Sequence, residues 1–222
     1  MESNKISFNK KLVMRILFYI LGVFILSLGV VFSVNSKLGV SAVSSPPYVL
    51  NLITGISMGT TTTLVYIILI LLQIIVLRRE FKWINLTQLL VSAMFGYFID
   101  FFLFILGDFM IPTYAGQLTM LGISIFLISI GVVIYVNAGV MNMPMEGLVA
   151  AVNQKILRKL SFGEVKMILD TSMVVFAVTI SLLFLGNVQG VREGTVLSAV
   201  LIGLIMKKIE PFIAPKMNKA IN

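Results

Sequence analysis

The chain has 222 residues, 59% of them hydrophobic and only 12% charged, with a mean hydropathy of +1.05 and a net charge of +8. No soluble domain of this size needs so much apolar surface, so the chain reads as an integral membrane protein with no room for a separate soluble domain. It has no Cys and no His. That excludes thiolate and imidazole metal sites, Cys and Ser–His nucleophiles, and disulfides, so neither a catalytic residue, a metal nor a cofactor is expected. The positive charge is expected in cytoplasmic loops, not on nucleic acid.

Taken in order, residues 1–12 form a polar, basic tail that precedes a long apolar run. That run is too long for a signal-peptide core and lacks a small-residue cleavage site, so it reads as a retained span. Spans are predicted at 13–34, 60–77, 87–106, 118–136, 164–185 and 195–212. Lys5, Lys10, Lys11 and Arg15 precede or open the first. Arg78, Arg79 and Lys82 follow the second. Lys155, Arg158, Lys159 and Lys166 surround the start of the fifth, and Lys207, Lys208, Lys216 and Lys219 end the chain. That places 15 of the 17 basic residues on one side, leaving Lys37 and Arg192 on the other. Cytoplasmic loops collect Lys and Arg, so both termini are expected in the cytoplasm. Segments 35–59 and 137–163 then start and finish on one face each.

The ends of the first and fourth spans match. Ser27-Leu-Gly29-Val30-Val31-Phe-Ser-Val34-Asn35 and Ser129-Ile-Gly131-Val132-Val133-Ile-Tyr-Val136-Asn137 share six of nine residues at a constant offset of 102. Pro46-Pro47 and Pro144 follow, then Ser57-Met-Gly59 and Ser161-Phe-Gly163, then Gly96 and Gly203. Four landmarks in one order predict a duplication. Three spans per half make the second half enter from the opposite face. The predicted fold is therefore all-α, with six transmembrane helices as a 3+3 inverted-topology repeat. It divides into a tail 1–12, a first repeat 13–106, an external linker 107–117, a second repeat 118–212 and a tail 213–222.

Each half carries a broken segment. Ser45 is placed as an N-cap with Pro46 at the first helical position, opening a helix of about 11 residues, roughly 16 Å long. Its counterpart starts near Asn142 and Pro144 and runs into a basic cluster. Two geometries are open. Both segments re-enter the membrane and point their N-termini at a polar or anionic solute, or both lie along the interface as amphipathic elbows.

Gly39-Val-Ser41, then Pro46-Pro47-Tyr48, then Thr54-Gly55-Ile-Ser57-Met-Gly59-Thr60 resembles the YczE/YyaS/YitT group of bacterial membrane proteins. Glu146-Gly147-Leu148, Phe162-Gly163, and Gly194-Thr195 with Leu197-Ser198-Ala199 resemble the second half of the same group. Some members carry Trp-Asp after the glycine-rich break, where Ser44-Ser45-Pro46-Pro47 stands here, so no role of that acid carries over. The resemblance implies a multi-span, permease-like protein and no particular substrate.

Of nine acidic residues, Glu146, Asp170 and Asp100 are candidate coupling groups. Glu146 lies in the first turn of the second short helix. There it either favours that helix's own N-terminal amides or serves as a proton- or cation-linked group beside a solute. Asp170 is four residues after Lys166 and is expected to pair with it. Asp100 lies toward the end of the third span, with Gly96 nearby implying close packing. Glu164 marks the start of the fifth span. Asn35 and Asn137 either cap carbonyls or line the site. The expected solute-binding set is Asn35, Ser41, Ser44, Ser45 and Pro46 with Asn137, Asn142, Pro144, Glu146 and Gly147. The leading reading is a small transporter working by alternating access in the lipid bilayer, with a homodimer plausible and an anionic solute among the options. The alternatives are a solute-binding subunit of a multi-component uptake system and a non-transporting accessory membrane protein.

Overall fold

A computed structural model describes residues 2–221, with side chains from Lys11 onward. Met1, Asn222 and the side chains of Glu2, Lys5 and Lys10 lie outside the described residues. Eight α-helices and two short 3-10 turns make up the regular structure of that range. They are α1 Glu2–Ser36, α2 Ser45–Thr54, α3 Met58–Leu77, α4 Gln88–Leu106, α5 Tyr114–Ala138, α6 Pro144–Lys155, α7 Phe162–Leu185 and α8 Glu193–Ile221. The chain is therefore a multi-helix membrane protein. Among the described residues five helices are long and apolar enough to span a bilayer: α1 from Lys11, α3, α4, α5 and α7. They leave large apolar side chains such as Phe104, Leu183 and Leu90 more than 70% exposed on the outer faces, where water-soluble proteins place polar ones.

The sixth expected span, 195–212, lies within α8, but its uncharged run is only Gly194 to Met206. Lys207, Lys208 and Glu210 cut it short of the roughly 20 residues that cross a hydrocarbon core unaided. Both expected tails are helical. Residues 2–12 open α1. The expected tail 213–222 continues α8 as far as Ile221, because Ile213, Met217 and Ile221 recur every fourth residue and form an apolar stripe. Met217 and Ile221 are buried in the main core, with Ile213 packed against it.

The centre of the molecule is the α1–α5 pair. A Cβ at Gly131 would meet Leu26 N at 2.6 Å and Gly22 O at 2.7 Å, and one at Gly29 would meet Ile128 N at 2.8 Å. Leu26 and Ile128 stand at the same offset as Gly29 and Gly131, so the two helices make this contact reciprocally. Small residues let the backbones approach this closely. Ser27 and Ser129, fully buried, each return a hydroxyl to their own helix, at Phe24 O and Ile125 O.

Around this pair the packing is reciprocal as well. α1 packs on α4, and α5 on α8. α2 packs on α3, and α6 on α7. Each short helix also packs on a long helix of the other half, α2 against α7 and α6 against α3. Two contacts lack a matching counterpart: α1 also touches α8, and α3 packs closely on α4. Gly59 and Gly96 bring α3 and α4 together so closely that a Cβ at Gly59 would lie 2.0 Å from Gly96 O, whereas Gly163 and Gly203 have open space around them.

Asp100 is part of the α3–α4 contact. Its Oδ1 accepts from Gly59 N at 2.7 Å, and its Oδ2 from Ser57 Oγ at 2.7 Å, so it caps α3 from a neighbouring helix. Replacing Asp100 with Ala is expected to cost about 1–2 kcal/mol, the usual worth of a charged cap. Thermal unfolding in detergent measures this, and an unchanged melting temperature would refute the capping role.

Candidate functional site

The first break follows α1. Asn35, 3% exposed, donates from Nδ2 to Gly107 O at 3.0 Å and so ties the end of α1 to the end of α4. Lys37 and Gly39 both turn through positive φ, at 58° and 101°. Gly39 needs this freedom, since any Cβ there would also press on Arg192 N at 2.7 Å. Ser45 does not cap α2 as expected. It is the first helical residue, and its hydroxyl donates to Ser41 O at 3.0 Å. The capping position falls to Ser44, which accepts from Ser41 Oγ and makes no cap bond. Pro46 and Pro47 are accordingly the second and third residues of α2. They still cost no intrahelical bond there, because a helix's first amides have no partner.

The second break follows α5. Asn137 donates back to Val133 O at 2.8 Å inside its own helix, so the two matched asparagines do different work. Asn142 is exposed and Pro144 buried at the start of α6. Gln73 Nε2 reaches from α3 to Pro144 O at 2.9 Å and to Gln88 Oε1 at 3.1 Å. Gly147 lies so close beneath that a Cβ would sit 2.7 Å from Gln73 Oε1. At its far end α6 meets the α3–α4 connection, where Lys155 pairs with Glu80. The two short helices therefore share a pattern: each buries the prolines that open it and is less buried toward its last residues.

Glu146 points from that first turn into the protein. Its Oε2 is buried and has no hydrogen-bond partner among the described residues, and the Tyr19 hydroxyl is in the same condition. Tyr135, Lys166 and Asp170 are its electrostatic neighbours. Lys166 and Asp170 pair at 3.2 Å along α7, as their spacing predicts. Tyr19 and Tyr135 meet edge to face at 5.8 Å. Buried carboxyl groups are expensive in an apolar interior and rarely kept without a use.

The expected site residues are thus held as two groups. Asn35, Ser41, Ser44, Ser45 and Pro46 lie at the α1/α2 end; Asn137, Asn142, Pro144, Glu146 and Gly147 lie at the α5/α6 end. No hydrogen bond joins the groups among the described residues. Asp170 belongs with the second group, and Asp100 with the α3 cap. The residues that sequence reading passed over are Gln73, Gln88, Tyr19, Tyr66 and Tyr135, all 5% exposed or less. Gln73 gave a signal, as a lone amide deep in the apolar run of α3.

A family model described as a family of unknown function, DUF6198, matches residues 13–211. The chain is 29% identical over 215 residues to the uncharacterized membrane protein YczE of Bacillus subtilis (strain 168), covering 96% of this chain and 93% of the relative. It is 27% identical over 201 residues to the uncharacterized protein YyaS of the same organism, covering 90% and 94%. No solved structure matches. The resemblance read from the Gly39–Thr60 and Glu146–Ala199 landmarks is borne out by these two relatives. Since the match covers residues 13–211, nearly the whole chain, the chain belongs to the DUF6198 family.

Proposed function

We propose that the chain is a transporter-like protein of the cell membrane, built as a 3+3 inverted repeat that carries a small solute by alternating access. In this reading α8 is the sixth crossing. Its short uncharged run ends where Lys207 and Lys208 can reach the interface with their ammonium groups. The basic residues then mark the cytoplasmic face, with both termini on it. The exchange of packing partners between halves carries the reading: α2 against α7 and α6 against α3, around a reciprocal α1–α5 contact. Two halves interlocked in this way can rock about their central pair while each short helix moves with the opposite half. The open surroundings of Gly163 and Gly203 leave α7 and α8 freer to separate than α3 and α4.

Glu146 is the coupling group in this mechanism. It sits at the base of one short helix, among Tyr135, Lys166 and Asp170, where binding a proton or cation changes the cost of its burial. The test is reconstitution of the full chain into liposomes loaded with a pH-sensitive dye. Butyrate, inorganic phosphate, glycine and glucose would be offered outside in turn. The reading expects a flux above that of empty liposomes for at least one solute, with the proton-linked part abolished in Glu146→Gln. No flux above the empty control for any of the four, from protein that remains folded, would count against transport.

A further inference from the structure

Lys37 and Arg192 are the two basic residues that depart from the charge asymmetry of the whole chain. They are 155 positions apart, yet both line one cavity of about 230 Å³, together with Tyr48, Gln189 and Val40. The cavity lies between the first break and the loop before α8. It is built from fixed parts. Val40 N donates to Gly190 O at 2.9 Å and Gly194 N to Leu38 O at 2.8 Å, so break and loop are tied by their backbones on both sides. Ser181 pins the loop further, accepting from Gln189 N at 2.9 Å and donating to Asn187 O at 2.7 Å. Gly190 lets the Tyr48 ring lie against the loop, since a Cβ there would meet the ring at 2.6 Å. Arg192 Nη1 donates to Lys37 O at 3.2 Å, which draws the guanidinium over to the first break.

The charges do not cancel. Glu193 approaches Arg192 Nε at 3.5 Å, while Lys37 has no ion pair among the described residues. The residues that line the cavity thus include two cations and no carboxylate. The volume is below the roughly 300 Å³ at which drug-sized pockets begin, so it suits a small occupant. Lys offers a point charge and Arg a planar fork, both suited to an oxyanion, while Tyr48 and Val40 supply an apolar wall.

We infer that this cavity is a binding site for a small oxyanion, carboxylate or phosphate, on the face of the protein assigned outward. The inference deepens the transporter reading by giving the solute's charge class, and it rests on that reading for the direction of entry alone. Binding is therefore tested without flux, so that loss of either is read separately. The purified full chain in nanodiscs is titrated at constant ionic strength with butyrate, with inorganic phosphate and, as a charge-reversed control, with butylammonium, following heat and thermal stabilisation. Saturable binding of butyrate or phosphate but not butylammonium is expected, weakened at least tenfold in Lys37→Gln and in Arg192→Gln and retained in Lys37→Arg. Which of the two anions binds more tightly identifies the head group. Absence of saturable anion binding, or binding left unchanged by both neutral variants, would overturn the inference. Unligated melting temperatures of the variants show whether each is folded, and Lys37→Arg keeps the test decisive where a neutral variant is not.

Discussion

Gly131→Leu is expected to leave no monodisperse folded protein after extraction. The Cβ alone would stand 2.6 Å from Leu26 N and 2.7 Å from Gly22 O. These are backbone atoms of a packed helix and cannot swing aside as a side-chain tip does. Overpacking a close-packed interface typically costs 1–3 kcal/mol, and a full Leu side chain against backbone is placed at about 3 kcal/mol or more. That is a large share of the 5–15 kcal/mol that holds a typical domain. Gly203→Leu is the control, because nothing lies within 4 Å of the Cβ position there. It is expected to change stability by less than about 0.5 kcal/mol. Size-exclusion profiles and melting curves of the two variants, prepared side by side, decide the matter. Equal damage from both would mean that the α1–α5 approach is not what holds the halves together.

Glu146→Gln is expected to stabilise the protein while removing its coupling. Gln keeps the shape of the side chain and one acceptor oxygen, exchanges the other oxygen for an NH2 donor, and discards the charge. Wild-type Glu146 carries a buried oxygen that lacks a partner among the described residues. Such a group costs roughly 1–3 kcal/mol, more when charged. A gain on the order of 1 kcal/mol corresponds to a melting temperature about 2–4 °C higher for a chain of this size. A stabilising substitution that abolishes function is the usual mark of a residue kept for its activity at a cost in stability. A destabilised Glu146→Gln would instead show Glu146 to be a structural link to Tyr135 and Lys166, and the coupling role would fall.

Much of the fold is legible in the sequence because apolar length is a direct physical requirement of a bilayer. Each predicted span from the first to the fifth overlaps a long helix, and Gly55, Gly139 and Gly186 end theirs in the left-handed conformation that glycine adopts freely. The matched run Ser27–Asn35 and Ser129–Asn137 is visible because the α1–α5 contact demands the same small residues from both helices. The sequence is less informative wherever a local rule is overridden by a distant partner. Ser45 looks like an N-cap, but the Ser41 carbonyl takes its hydroxyl. Asp100 looks like an isolated acid near a helix end, until the amide of Gly59 supplies its reason for being there. Asn35 and Asn137 look equivalent, yet only the first finds another helix's terminal carbonyl within reach. Residues 213–221 look like a tail because Lys216 and Lys219 mask the apolar stripe between them. Gln73 and Tyr66 lie on α3, Tyr19 on α1 and Tyr135 on α5, so their grouping depends on packing that no single segment encodes.

The most direct measurement of the inverted arrangement is the sidedness of two single cysteines in a chain that has none of its own. Asn187→Cys marks the loop beside the first break, and Asn142→Cys marks the second break; both positions are exposed. A membrane-impermeant maleimide is applied to intact cells and to inverted vesicles. The account predicts that the cysteine at 187 labels in intact cells and the one at 142 in inverted vesicles only. Labelling of both from the same side would contradict it.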